Sequence, residues 1–242
     1  MHRIYLSVYV ICFALGLLSG SMALADSQAH PGPEYRYYPP SLDATGKVYM
    51  GREIAHVMGF QGAAWLERQN RVQEERTDVL VKALALTPGM QVADIGAGTG
   101  FLSREMAKVV GAQGQVFAVD IQPEMLAKLK RLQSAYPNIT PLLASERKTN
   151  LAPNTVDLAI MVDVYHELSY PYEVIQDTLQ ALKKHGQLVL VEYRGEDDSV
   201  PIKASHKMTE AQIIKEMRVH GLRHEKTIAS LPWQHIVVFT KP

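Results

Sequence analysis

Val92-Ala93-Asp94-Ile95-Gly96-Ala97-Gly98-Thr99-Gly100-Phe101, followed by Val116-Phe117-Ala118-Val119-Asp120, decides the reading of this chain. An apolar run enters closely spaced glycines that open a helix, and a second apolar run about 20 residues on ends in a carboxylate able to take two ribose hydroxyls. This pattern predicts the nucleotide-binding turn of a doubly wound α/β sheet.

The glycine spacing narrows the ligand. A dinucleotide turn reads G-x-G-x-x-G and aims helix N–H groups at a pyrophosphate. Here the third position counted from Gly96 is Phe101, and counted from Gly98 it is Ser103. Asp94 stands ahead of the turn, where a carboxylate repels a pyrophosphate but helps to hold an α-ammonium group through water or backbone. A ligand with a ribose, a cation and no phosphate is expected, and S-adenosylmethionine fits.

Asp94 to Gly100, Asp120, the strand-like Val156-Asp157-Leu158-Ala159-Ile160-Met161-Val162-Asp163 and the segment Leu182 to Glu192 resemble the successive motifs of class I S-adenosylmethionine-dependent methyltransferases. The likeness is strongest to the small-molecule branch that includes ubiquinone and menaquinone C-methyltransferases, and covers Arg76 to the C-terminus. It implies a Rossmann-like seven-stranded sheet, mostly parallel, with a C-terminal antiparallel hairpin near His224 to Ile228 and His235 to Thr240. It also implies a methyl transfer to a small-molecule acceptor. Rival readings are a non-catalytic module of the same fold that binds the cofactor or a partner, and a nicotinamide oxidoreductase, which the glycine spacing disfavours.

The expected cofactor residues are Asp94, Gly96, Ala97, Gly98, Gly100, Asp120, Ile121 and Asp163. Where the family places an acid toward the adenine amino group, Ser145 stands here, so the role passes to its neighbour Glu146. Asp163-Val164-Tyr165-His166-Glu167 follows the fourth strand, where open α/β sheets hold ligands. His166 is the candidate base by its intrinsic pKa, with Asp163 beside it, and packing near the adenine is the competing role for His166. Tyr165, Arg194 and Trp65 are candidate substrate contacts, and Tyr49, Met58 and Phe60 are further candidates for the substrate side. Asp163 and Glu192 occupy places resembling the magnesium ligands of catechol-type O-methyltransferases, but lone acids at strand ends are commoner than metal sites, and no metal is expected. The stretch Tyr193 to Asp198, with Lys203, His206 and Lys207, reads first as a solvated loop, with a polar substrate rim as the alternative.

Along the chain, residues 1–25 resemble a signal peptide: a basic start at Arg3, an apolar stretch from Ile4 to Leu18, and Ala23-Leu24-Ala25 for cleavage. An uncleaved membrane anchor is the alternative. Residues 26–46, rich in Pro, Gly and Tyr, read as a flexible linker, 47–75 as an N-terminal helical cap, and 76–242 as the cofactor-binding domain. A helix from about Asn70 to Leu84, helices opened by Pro123 and Pro171, the latter running to Gly186, and a capping box at Thr209 and Gln212 are expected. Lys+Arg and Asp+Glu are equal at 25 each, so no basic field is offered to nucleic acid. Cys12, the only cysteine, lies in the signal segment, so the mature domain has no disulfide and no thiolate metal site. Nothing in the sequence fixes an oligomeric state. The location expected is periplasmic or extracellular, with no stable membrane insertion after cleavage. N-terminal sequencing of fractionated cells checks this: the mature chain should begin at Asp26, and full-length protein in the soluble cytoplasm would contradict it.

Overall fold

The computed structural model describes Met1 and residues 34–242, so the expected signal segment and the start of the linker lie outside the described residues. The central sheet is built from β4 (Gln91–Ile95), β5 (Gln115–Asp120), β6 (Ile139–Leu143), β7 (Val156–Val162) and β8 (Leu182–Arg194), all parallel, and the antiparallel β10 (Arg223–Ile228) and β11 (Gln234–Thr240). Their order is β10-β11-β8-β7-β4-β5-β6, and the short β9 (Lys207–Met208) pairs with the end of β8. The expected fold, a mostly parallel Rossmann-like sheet with a C-terminal hairpin, is the one observed.

The strands read as nearly unbroken apolar runs because both faces are covered. Val92, Val116, Ala118, Leu158, Ile160, Val189 and Val191 face a layer with Leu80 of α3 (Thr77–Ala83), Met106 of α4 (Phe101–Val110) and Leu129 of α5 (Pro123–Leu132). Their neighbours Ala93, Ile95, Val119, Ala159, Met161 and Leu190 face the opposite layer, with Ile175 of α6 (Pro171–Ala181) and Met217 of α7 (Glu210–Arg218). The period-2 alternation of side chains thus divides each strand between two dry cores. Among the described residues, no helix is long and apolar enough to cross a membrane.

Ahead of this sheet the structure corrects the expectation of linker and helical cap. Tyr35–Tyr37 (β1), Ala44–Tyr49 (β2) and Arg52–Ala55 (β3) form a three-stranded antiparallel sheet, and only Ala63–Leu66 (α1) and Arg71–Glu75 (α2) are short helices before α3. The cause is turn chemistry: Met50 and Gly51 link paired Tyr49 and Arg52 with φ of 50° and 93°, the positive values of a two-residue hairpin. The helix expected over 70–84 is interrupted at Arg76, whose φ is 51°. The helix opened by Pro171 stops at Ala181, not at Gly186, because residues from Leu182 onward are drawn into pairing with β7. At α7, Thr209 accepts the N–H of Gln212 as expected, but the Gln212 amide turns instead to Met50 and Glu216, so the capping is one-sided.

The small sheet is tied to the large domain by a buried ion pair. Arg52 donates through Nε and Nη2 to the two carboxylate oxygens of Glu216 at 2.9 and 3.1 Å, and through Nη1 to the carbonyl of His166 at 3.0 Å. Glu216 is fully buried and also accepts the Tyr165 hydroxyl at 2.7 Å. Removing one partner of such a pair strands the other charge, at a cost of about 3–5 kcal/mol. Urea unfolding of Glu216→Ala should show a loss of that size, while an Arg52→Met, Glu216→Met double variant should recover much of it. Equal losses in both would contradict this account.

Candidate active site

The turn after β4 sits where neighbouring strands β5 and β7 leave β4 in opposite directions, the switch point at which open α/β sheets bind ligands. Its backbone is fixed before any ligand arrives. The amides of Gly96 and Ala97 both donate to the carbonyl of Val119, at 2.8 and 3.0 Å. Gly96 has φ of 76°, and a Cβ there would lie 2.4 Å from Val164. The Asp120 carboxylate accepts the N–H of Gly98 through Oδ2 and that of Gln122 through Oδ1, each at 2.8 Å. Burial raises the Asp120 pKa, and the two amides hold it down. A carboxylate offers about four acceptor positions, so two remain for ribose hydroxyls.

These groups open onto a cavity of about 500 Å³, within the range of small-molecule sites. Of the residues expected to serve cofactor or catalysis, Gly96, Gly98, Asp120, Ile121, Glu146, Asp163 and His166 line it, and so do Met58 and Trp65. Asp94 and Ala97 instead border a small adjoining pocket shared with Arg71 and Gly96. Asp94 is buried and accepts the Ser103 hydroxyl at 2.5 Å. Gly100 lies away from the cavity: its α-carbon abuts Leu129 and Leu132 of α5, leaving no room for a side chain.

Several expectations are overturned. Tyr165 is wholly buried and spends its hydroxyl on Glu216, so it belongs to the core and not to a substrate surface. Arg194 donates to the carbonyls of Leu231, Pro232 and Gln234, tying β8 to the loop before β11, and does not reach the cavity. Tyr49 packs in the small sheet against Tyr35, and Phe60 is exposed on the surface. His166 is not a free imidazole. Its Nδ1 lies 2.5 Å from Glu192, which is fully buried and also accepts the Tyr165 N–H. Although burial alone lowers the pKa, Glu192 and Glu167 push it up to about 10. Near neutral pH the ring carries a proton that a general base would have to lack, so this geometry does not support the base role expected of His166.

Asp163 follows β7 directly, with φ of 54°. Its Oδ2 accepts the Gln234 amide at 3.1 Å, and Oδ1 is buried without a partner among the described residues. Burial, reinforced by Glu75 and Glu192, raises its pKa well above the carboxylate range. An unpaired polar atom at the cavity wall is satisfied at no conformational cost by a ligand. Reading the sequence missed Arg71, whose guanidinium is buried, pairs with Glu75 at 2.9 Å, donates to the Leu66 carbonyl at 2.8 Å and borders both cavities. The only sequence signal was its i,i+4 spacing to Glu75, which solvated helices share. Lys203 and His206 line the cavity, which matches the polar rim, the less favoured of the two readings of their loop.

Residues 92–186 match the family model described as a methyltransferase domain. Among curated relatives, the ubiquinone/menaquinone biosynthesis C-methyltransferase of Ectopseudomonas mendocina is 28% identical over 116 residues, 47% of this chain and 45% of that protein. The ubiquinone biosynthesis O-methyltransferase of Xanthomonas campestris pv. campestris is 33% identical over 118 residues, 48% of this chain and 47% of that protein. The matched stretch thus spans about half the length of these relatives. A SAM-dependent methyltransferase from Aquifex aeolicus superposes with a TM-score of 0.71 at 24% identity, over 76% of this chain and 99% of that one.

Asp94 supplies a pH test of this geometry. Burial pushes its carboxyl up to about 6, against the pull of Ser103 and Arg71. A folded-state pKa above the unfolded value of about 3.9 means the fold loses stability as pH rises from about 4 to about 6, by about 3 kcal/mol in all. In urea titrations at a series of pH values, Asp94→Asn should lack this loss, and parallel profiles for the two proteins would refute the assignment. The chain therefore has a mostly parallel Rossmann-like fold whose residues 92–186 match a methyltransferase domain, and S-adenosylmethionine is the cofactor that its turn, Asp120 and cavity fit.

Proposed function

We propose that this protein is an exported methyltransferase that transfers a methyl group from S-adenosylmethionine to a small-molecule acceptor. The observation that carries the reading is that the Gly96-to-Asp120 cradle opens into the same cavity as Asp163, Trp65 and Met58, leaving space for cofactor and acceptor side by side. The methyltransferase-domain match over residues 92–186 supports it, as do relatives named as C- and O-methyltransferases of quinone biosynthesis. Export rests on the pattern of residues 1–25, and the balanced charge argues against a nucleic acid substrate.

When bound, the cofactor supplies an electrophilic methyl carbon on a sulfonium. The chain's task is to hold the acceptor in line with it and to keep water out. Asp120 takes the ribose hydroxyls, Arg71 suits the carboxylate of the amino acid end, and Glu146 stands where the adenine edge is expected. Trp65 and Met58 cover the acceptor side with apolar surface. His166, pinned by Glu192, serves as a positioning group at this wall.

Calorimetry with S-adenosylmethionine tests the cradle. Asp120→Ala removes charge-assisted bonds worth about 1.5–3 kcal/mol each, so affinity should fall at least tenfold. An unchanged dissociation constant would reject the ribose role. Release of S-adenosylhomocysteine with a panel of phenols, amines and quinols tests turnover, and tight binding without release on any acceptor would favour the non-catalytic module.

A further inference from the structure

His166 Nε2, His206 Nδ1 and Glu167 Oε1 converge on one point of the cavity wall. The two nitrogens are 3.1 Å apart, and the carboxylate oxygen lies 3.7 Å from His166 and 3.3 Å from His206. Donors bound to a single ion at about 2.0–2.1 Å are separated by about 3.0 Å at right angles and about 3.4 Å at the tetrahedral angle. Two sides of the observed triangle, 3.1 and 3.3 Å, fall in that range, and the third, 3.7 Å, is somewhat longer.

Each imidazole is held from behind by a carboxylate. His166 Nδ1 meets Glu192 at 2.5 Å, and His206 Nε2 meets Asp43 at 2.9 Å. A carboxylate on the far nitrogen keeps that nitrogen protonated and turns the other nitrogen's lone pair outward, the arrangement found behind metal-bound histidines. Two ring nitrogens and a carboxylate oxygen facing one another at these distances share a positive charge, which in the ion-free protein is a proton and which a metal ion displaces. Met58 N–H occupies the other oxygen of Glu167 at 3.1 Å, which aims Oε1 at the same point. Three carboxylates, Glu192, Glu167 and Asp43, contact the pair of rings; Lys203 sits on Asp43 at 2.7 Å, and Arg52 is spent on Glu216.

We propose that His166, His206 and Glu167 bind one divalent first-row transition-metal ion, Zn²⁺ best matching the two-nitrogen, one-oxygen donor set, with its remaining coordination positions facing the cavity. This departs from the expectation of no metal, and it places the ion away from the Asp163 and Glu192 pair weighed from the sequence. Three protein ligands with an open position are the pattern of a catalytic and not a structural zinc. The ion site stands on its own geometry, while its role rests on the proposed methyl transfer: an acceptor hydroxyl bound there gives up its proton to solvent more readily and presents its oxygen to the methyl carbon.

The untagged protein, stripped with chelator, is titrated with Zn²⁺ by calorimetry and with Co²⁺ by visible absorption, without S-adenosylmethionine. One ion per chain and a d–d spectrum of four- or five-coordinate Co²⁺ are expected. His206→Ala and Glu167→Gln should each lose at least tenfold in affinity, and Asp43→Asn, which touches no metal, about 10- to 100-fold. His206 and Asp43 lie at partly exposed positions, and circular dichroism checks that the variants fold. Absence of stoichiometric binding to the unmodified protein, or binding that the ligand variants leave unchanged, overturns the proposal and leaves a proton bridging the two rings. Cofactor affinity measured on the stripped protein reports separately on the methyltransferase reading.

Discussion

The sheet is dry on both faces, and this constraint governs where chemistry is able to occur. Between two apolar layers an ionised side chain costs several kcal/mol, so acids and histidines are confined to strand ends or to fully satisfied networks. Asp120 at the end of β5, Asp163 just past β7 and Glu192 near the end of β8 are all found on the same edge. The fold thereby gathers carboxylates from well-separated stretches of chain around one cavity without any of them being close in sequence.

Two different uses of carboxylate follow. Asp120 is preorganised by two amides and keeps lone pairs for a ligand, so it works as an acceptor at the cavity. Glu192 and Glu216 are fully buried and spend their oxygens inside the protein, on His166 and the Tyr165 amide in one case and on Arg52, Tyr165 and Gln212 in the other. These two acids act on the site indirectly, by fixing the turn that carries Tyr165, His166 and Glu167.

The small N-terminal sheet belongs to the site as much as the large one does. Arg52 holds the His166 carbonyl, Asp43 holds the His206 ring, and the segment after β3 brings Met58 and Trp65 over the cavity. Lys47 reinforces the join, with its ammonium on the Ser169 carbonyl and 3.4 Å from the centre of the Tyr170 ring. Its burial among aromatic faces is compatible with its charge through that carbonyl and the ring quadrupoles.

By itself the sequence determined the sheet, the cofactor turn and the ribose acid, because all three are local: strand hydrophobicity, glycine spacing and an acid at a strand end lie within about 30 contiguous residues. It also placed the final hairpin and the helices begun by Pro123 and Pro171, whose start signals are single residues. Tertiary structure alone decided the roles of Tyr165, Arg194 and His166, since each depends on a partner far along the chain: Glu216, the carbonyls before β11, and Glu192. The same holds for Arg71, which looks like an ordinary surface residue until packing brings it to the cavity, and for His206, whose loop the sequence left open between a solvated surface and a polar rim. A side chain's protonation and direction are set by the charges and burial it meets across space, and those are absent from any short window of sequence.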